Sequence, residues 1–344
     1  MIWVAWRQFR AQALTALAVL AAATAYFVTT GLSMHRTYAT DLSACGHNDC
    51  SDTLNQLLHG YSDQFNLAEL LVIVAPGVIG IFWGAPLIGR ELETGTHQLA
   101  WNQSVMRTRW LAVKTAGVGA ASIATAGLLS YLVTWWAGPL DQIDGDRLAS
   151  QAFASHDIVP LAYAAFAFAL GTTAGLLLRR TVPAMALTVA VFAGVQILVP
   201  AAVRPNLLPS TTVTFPVDPA TASQVAGIYT SGGGAAVYLS GLPVPQGAWV
   251  QLTTPMEDSS GQVVAASTHL NCFPDFQGGG PAKGARPDVE RISACLAAYD
   301  LHESVTYQPA SHYWRLQWYE SGIFAALAAA LLGFCFWWIR RRQN

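Results

Sequence analysis

The chain has 344 residues, 53% of them hydrophobic and 11% charged, with 18 basic and 20 acidic side chains and a net charge of −2. So few charges cannot sheathe a soluble core of this size, and a balance so near zero offers no basic field for nucleic acid. A soluble globular class and a nucleic-acid partner are therefore both set aside.

Residues 1–10 make a short basic and aromatic N-terminal segment in which Trp3, Trp6 and Phe9 suit an interfacial helix resting on lipid. The following run, 11–34, has no Asp, Glu, Lys, Arg or His, and five more such runs cover 70–89, 115–140, 158–178, 181–203 and 321–339. A helix needs about 20 mostly apolar residues to cross hydrocarbon, so each run predicts one span. The first run also has features of a secretory signal, with Ala23 and Ala25 mimicking a cleavage site. It is longer than the usual signal core and is read as a retained helix.

Orientation follows from the cations. Arg7 and Arg10 precede the first run; Arg90, Arg107, Arg109 and Lys114 lie between the second and third; Arg179 and Arg180 lie between the fourth and fifth; Arg340, Arg341 and Arg342 follow the sixth. Short loops rich in Lys and Arg stay in the cytoplasm, which places both termini there. All the acids except Glu91 and Glu93 fall in the opposite loops. Trp101, Trp110, Trp135, Trp136, Trp314, Trp318, Trp337 and Trp338 lie near the run ends, where an indole can anchor at the interface, while Trp83 sits inside a run.

The expected fold is thus an all-α polytopic membrane protein with six transmembrane helices, five of them within 11–203 and the sixth with its basic tail at 320–344. Outside lie a modest loop at 34–69, an acidic one at 138–157 and 116 residues at 204–319, enough for a folded extracytoplasmic domain. Alternation at Val237–Leu239 and Trp249–Leu252 predicts strands, and Pro287 followed by Val289, Ile292, Leu296 and Tyr299 predicts a helix, so this domain is expected to be mixed α/β. Cys45, Cys50, Cys272 and Cys295 lie on the oxidising side, most simply as Cys45–Cys50 and Cys272–Cys295, although four cysteines allow three pairings. The pairs are too widely spaced for a four-cysteine metal site, and Cys335 reads as a packing residue.

Inside the runs the absence of ionisable groups argues against a carrier driven by protons or sodium, which keeps such groups at mid-depth. Gly80 and Gly84, and Gly171 and Gly175, recur at helix-packing spacing, either for packing within the chain or for a subunit contact. Pro76 and Pro86 can kink the second run. Beyond that run the chain reads Arg90-Glu91-Leu92-Glu93-Thr94-Gly95-Thr96, then reaches Leu99, Trp101, Arg107, Arg109 and Lys114. The two glutamates either neutralise Arg90 and nearby Arg side chains or mark the register of an amphipathic element that docks on a soluble protein through Leu92, Leu99 and Trp101. Spacing leaves both open.

The string Glu-x-Glu-x-Gly-Thr at Glu91–Thr96, with Arg107, Arg109 and Lys114 after it, resembles the signature of the ABC-2 type permease family. The layout of helices, termini and large outer loop resembles that family over nearly the whole chain. Tyr307–Ser311 through Trp318, then Trp337, Trp338 and Arg340–Arg342, resemble actinobacterial transmembrane transport proteins of the family. The resemblance implies that Glu91, Leu92, Glu93, Thr94, Gly95 and Thr96 belong to a region coupling ATP-driven motion to the membrane. It further implies an ATPase subunit as partner, a second permease subunit, identical or related, and export across a bacterial plasma membrane.

No cofactor is expected on this chain itself. Its nearest Gly-rich string, Gly278–Gly284, lacks the Lys-Ser/Thr ending of a P-loop, so ATP and Mg would be held by the partner subunit. His302-Glu303 could open a zinc-protease motif, but Thr306 stands where the second His is required, so an enzyme is not expected. The competing class is a sensor or receptor whose outer domain binds a ligand.

Overall fold

The computed structural model describes residues 2–45, 51–95, 106–145, 147–218, 221, 227–232, 235–265, 272, 276–277, 280–281 and 289–342. The chain divides into two compact units, Met1–Leu207 with Tyr313–Asn344, and Leu208–His312. The first contains helices α1 (Ile2–Cys45), α2 (Ser51–Ile79), α3 (Ala85–Glu93), α4 (Arg107–Asp144), α5 (Ser150–Ser155), α6 (Val159–Leu178) and α7 (Thr181–Leu198); α8 (Val289–Leu296) belongs to the second, and α9 (Tyr313–Arg342) returns to the first. Among the described residues six helices are long and apolar enough to cross a membrane, at Phe9–Thr40, Gln56–Glu93, Arg107–Ile143, Val159–Leu178, Thr181–Asn206 and Ala310–Arg341. The protein is a multi-pass membrane protein, mostly helical, with a small sheet region.

The helices outrun the uncharged stretches. Residues 2–10 are not a separate element but the start of α1, because no Gly or Pro interrupts the chain before Gly31. Likewise much of 34–69 is helical, in the end of α1 and the start of α2. Water-facing ends of a spanning helix can carry charges without breaking it, so a charge bounds the hydrocarbon and not the helix.

α6 is the most buried span and packs against α2, α3, α4, α7 and α9. Its Ala and Gly residues allow close backbone approach, which is what helices need where lipid supplies no hydrophobic drive. A Cβ on Gly80 would lie 2.6 Å from the Ala167 carbonyl oxygen, and one on Gly84 2.7 Å from that of Phe168. On the facing side, Cβ atoms on Gly171 and Gly175 would strike the carbonyl oxygens of Gly80 and Ala85. The four glycines therefore meet within one chain. Between Pro76 and Pro86 the helix passes through a π-helical turn, Gly80–Gly84. Pro86 has no N–H to offer the Phe82 carbonyl four residues earlier, and Gln12 Nε2 of α1 donates to that oxygen at 2.8 Å.

Two tryptophans expected at interfaces are core residues instead. Trp136 is fully buried, its indole N–H donating to Thr30 Oγ1 at 3.1 Å, and Trp110 is buried beside Ile88 and Leu111. An indole enters a core when its N–H finds an acceptor, and Thr30 gives Trp136 one. Trp314, Trp318 and Trp337 are exposed.

A second departure concerns two charges that bounded the runs. Arg204 and Glu320 are both buried and paired, Nε to Oε2 at 2.9 Å and a terminal guanidinium nitrogen to Oε1 at 3.1 Å. Tyr163 of α6 donates its hydroxyl hydrogen to the same carboxylate, and the guanidinium lies 4.2 Å from the centre of the Phe153 ring. Nearby, Gln317 accepts from the Val159 N–H at 3.2 Å and donates to the Phe153 carbonyl at 3.2 Å. Two opposite charges can be withdrawn from water together when they face one another and their remaining hydrogen-bonding groups find partners.

The second unit is built on β1 (Thr211–Pro216), β2 (Gly227–Ser231), β3 (Ala236–Ser240), β4 (Trp249–Thr253), β5 (Glu257–Asp258), β6 (Phe276–Gln277), β7 (Gly280–Pro281) and β8 (Leu301–Gln308). β8 pairs antiparallel with β1, β4 and β5, while β2–β3 and β6–β7 form two-stranded ribbons. Val217, Val237, Leu239, Met256, Ile292, Leu296 and Leu301 make its core, next to the Cys272–Cys295 disulfide. Tyr299 lies beyond α8 and is exposed. Cys50 lies outside the described residues, and with it the expected Cys45–Cys50 pair.

On β8 the alternation that buries Leu301, Val305 and Tyr307 also buries Glu303. Its Oε2 accepts the Leu239 N–H at 2.9 Å, and Oε1 has no hydrogen-bond partner among the described residues. Burial pushes this carboxyl up to about 7, against the lowering effect of the Leu239 N–H.

Candidate functional site

The Glu-x-Glu-x-Gly-Thr string falls where α3 ends. α3 begins directly after the π-helical turn and lies beside α6 and the start of α7: a Cβ on Gly89 would make ordinary contacts of 3.4 Å with the Gly175 Cα and 3.6 Å with the Thr181 Cα. Its apolar side sets Ile88 into a cluster with Trp110, Leu111, Leu176, Cys335 and Ile339, with Leu92 packed at the edge. Leu92 therefore belongs to the bundle. The helix stops at Thr94, whose N–H and Oγ1 both donate to the Arg90 carbonyl, at 3.0 and 2.9 Å. Gly95 follows at φ 71°, a left-handed conformation that glycine takes without the Cβ penalty.

The two acids point to two different helices. Glu91 pairs with Lys114 of α4, both side chains largely withdrawn from solvent, and the ammonium lies 5.1 Å from the centre of the Trp110 ring. Glu93, two residues on and exposed, reaches α7: its Oε2 accepts the Thr181 N–H at 2.9 Å and the Thr181 hydroxyl at 2.8 Å. The first amides of a helix have no partner within it, and a carboxylate there both accepts a hydrogen bond and opposes the positive end of the helix dipole. α7 has no such acceptor from its own leading residue, Arg180. The joint before it is short, with Arg179 at φ 53° closing α6 by an N–H to the Gly175 carbonyl at 3.1 Å.

Of the six residues expected to form the coupling region, Glu91, Leu92, Glu93, Thr94 and Gly95 share one helical end, and Thr96 lies outside the described residues with Leu99 and Trp101. The structure pairs Glu91 with Lys114, 23 residues further along the chain. Thr181 was not foreseen. Its one sequence signal is a hydroxyl residue directly after a cation pair at the start of an apolar run, a place where a helix needs its amides capped. His302 and Glu303 sit on a strand, where neighbouring side chains face opposite ways. Among the described residues no group of three or more His, Cys, Asp or Glu side chains is placed to hold a metal ion.

The model of one protein family, described as ABC-2 membrane transporter related, matches residues 17–204. That stretch contains α2 to α7 and, with them, Glu91, Glu93, Lys114 and Thr181. No curated protein and no solved structure matches the chain.

Proposed function

The chain belongs to the ABC-2 membrane transporter related family, whose model covers more than half of its residues, and from that premise we propose that it is the membrane-spanning permease subunit of an ABC-2 type exporter. A separate ATP-binding subunit, holding ATP and Mg, docks on the segment between the second and third spans. Both termini and that segment are cytoplasmic, and the unit Leu208–His312 lies outside a bacterial plasma membrane. Two permease subunits enclose the path, which opens inward and outward in turn.

The observation that carries this reading is the end of α3, where one short element bonds to the first turns of two other spans through Glu91–Lys114 and Glu93–Thr181. An element so placed can pass a displacement into the bundle without entering the membrane itself. The opposed distribution of cations and acids supports the orientation.

The test is reconstitution of the full chain in proteoliposomes with an ABC-type ATP-binding subunit from the same genome. The expected result is hydrolysis that rises when the chain is present and ATP-dependent flux across the bilayer. A ligand response by the outer unit with neither stimulated hydrolysis nor flux would make the protein a sensor instead.

A further inference from the structure

Glu91 and Glu93 stand at the wrong end of their own helix. The carboxyl end of a helix carries partial negative charge, so acids in the last turn of α3 oppose its dipole. A choice that breaks a local rule is expected to serve something beyond its own element. Both acids serve neighbours: Glu93 supplies the capping acceptor that α7 lacks, and Glu91 neutralises a lysine in the first turns of α4.

Three further features bear on how a displacement would travel. The element joins the upper part of α2 through the π-helical turn, flanked by Pro76 and Pro86, where the regular hydrogen-bond ladder is interrupted. It can therefore shift against α2 more readily than one helical turn shifts against the next. Only about a methyl group's width separates Gly89 from Gly175 and Thr181, so a larger shift of α3 is passed to α7. Finally, α7 continues through Val199–Val203 to Arg204, which is bound to Glu320 of α9 and through that carboxylate to Tyr163 of α6. α7 is thus held at both ends, by Glu93 at the first and by Glu320 at the last.

We infer that Glu91 and Glu93 are internal struts, with Lys114 and Thr181 as their positioning partners, which deliver movement of the α3 end to α4 and α7 and do not themselves contact the ATP-binding subunit. The inference rests on the permease reading for the source of the movement, and it deepens that reading by assigning each acid its receiver. Lys114 and Glu91 already spend their charges on each other in a largely enclosed site, and the one carboxylate oxygen of Glu93 used here accepts both Thr181 donors.

The experiment has two arms, both on the full-length chain. In nanodiscs without any partner, amide exchange over the first turn of α7 is compared for wild type, Glu93→Ala and Glu91→Ala. Exchange near Thr181 rises by about tenfold in Glu93→Ala alone, because loss of the cap frees that turn to open locally. In proteoliposomes with the ATP-binding subunit, both variants co-purify with it to within about twofold of wild type, while permease-stimulated hydrolysis falls by about tenfold. The exchanged pair Glu91→Lys with Lys114→Glu regains most of the hydrolysis lost in Glu91→Lys, which excludes simple misfolding of the single variant.

Co-purification that falls in step with hydrolysis would make the acids docking contacts and overturn the inference. Unchanged exchange in Glu93→Ala would overturn it as well. If exchange responds as stated but the wild-type chain recruits no ATP-binding subunit, the strut to α7 stands and the permease reading falls.

Discussion

Among the described residues two glutamates are withdrawn from solvent to 1% or less, Glu320 in one unit and Glu303 in the other, and the two are treated in opposite ways. Glu320, in the membrane unit, meets the Arg204 guanidinium through two bonds and takes a third from Tyr163. Glu303, in the core of the strand-rich unit, has the Leu239 N–H and little else. The first carboxylate is met by a full opposite charge, which offsets the cost of withdrawing it from water. The second has no counter-charge among the described residues, and its burial is met instead by a raised titration that keeps the proton on.

Breaking the first arrangement should have the largest effect. Arg204→Met leaves a buried carboxylate with no counter-charge and is expected to cost about 3 to 5 kcal/mol, read as a drop in the thermal midpoint of the purified chain. Adding Glu320→Leu should recover much of it, since removing both charges removes the desolvation cost as well. A double variant no better than the single would mean that the pair itself supplies the stability.

The second arrangement is sharpened by pH. The native unit holds the Glu303 proton up to about 7, whereas the unfolded chain releases it near 4.5. Below about 4.5 both states are protonated and the contribution is whole; as pH rises to about 7 the unfolded state ionises first, and roughly 3 kcal/mol of stability is lost. Glu303→Gln should flatten that slope, measured by exchange protection of β3 and β8 across the range. The disulfide that flanks this core closes 23 residues. Cys272→Ser should cost the second unit about 3 kcal/mol in the chain-entropy account, visible in the same exchange measurement.

An intermediate case tests whether enclosure sets the scale. Lys114 and Glu91 are paired but less deeply enclosed than Arg204 and Glu320. Glu91→Gln should therefore lower stability by about 2 kcal/mol, between exposed and fully buried pairs, in the same thermal assay.

Much of the membrane unit is legible along the chain because crossing hydrocarbon is a local requirement, met or failed within about 20 consecutive residues. Each uncharged run coincides with a candidate span, and the family could be approached from the Glu91–Thr96 string together with that layout. The strands at Val237–Leu239 and Trp249–Leu252 and the helix after Pro287 were legible for the same reason, being written in short-range alternation and punctuation. Trp136 misled, since position near a run end cannot reveal that Thr30 waits to receive its N–H from 106 residues away.

What the amino-acid sequence determined by itself was how many times the chain can cross a bilayer, where its polar segments fall and which short string to inspect. Tertiary structure alone decided what the charges do. Glu93 finds Thr181 across 88 residues and Arg204 finds Glu320 across 116, and neither partner is marked by spacing. Hydropathy is a property of each segment in its solvent, but an ion pair or a borrowed helix cap exists only after packing has brought two distant segments within about 3 Å.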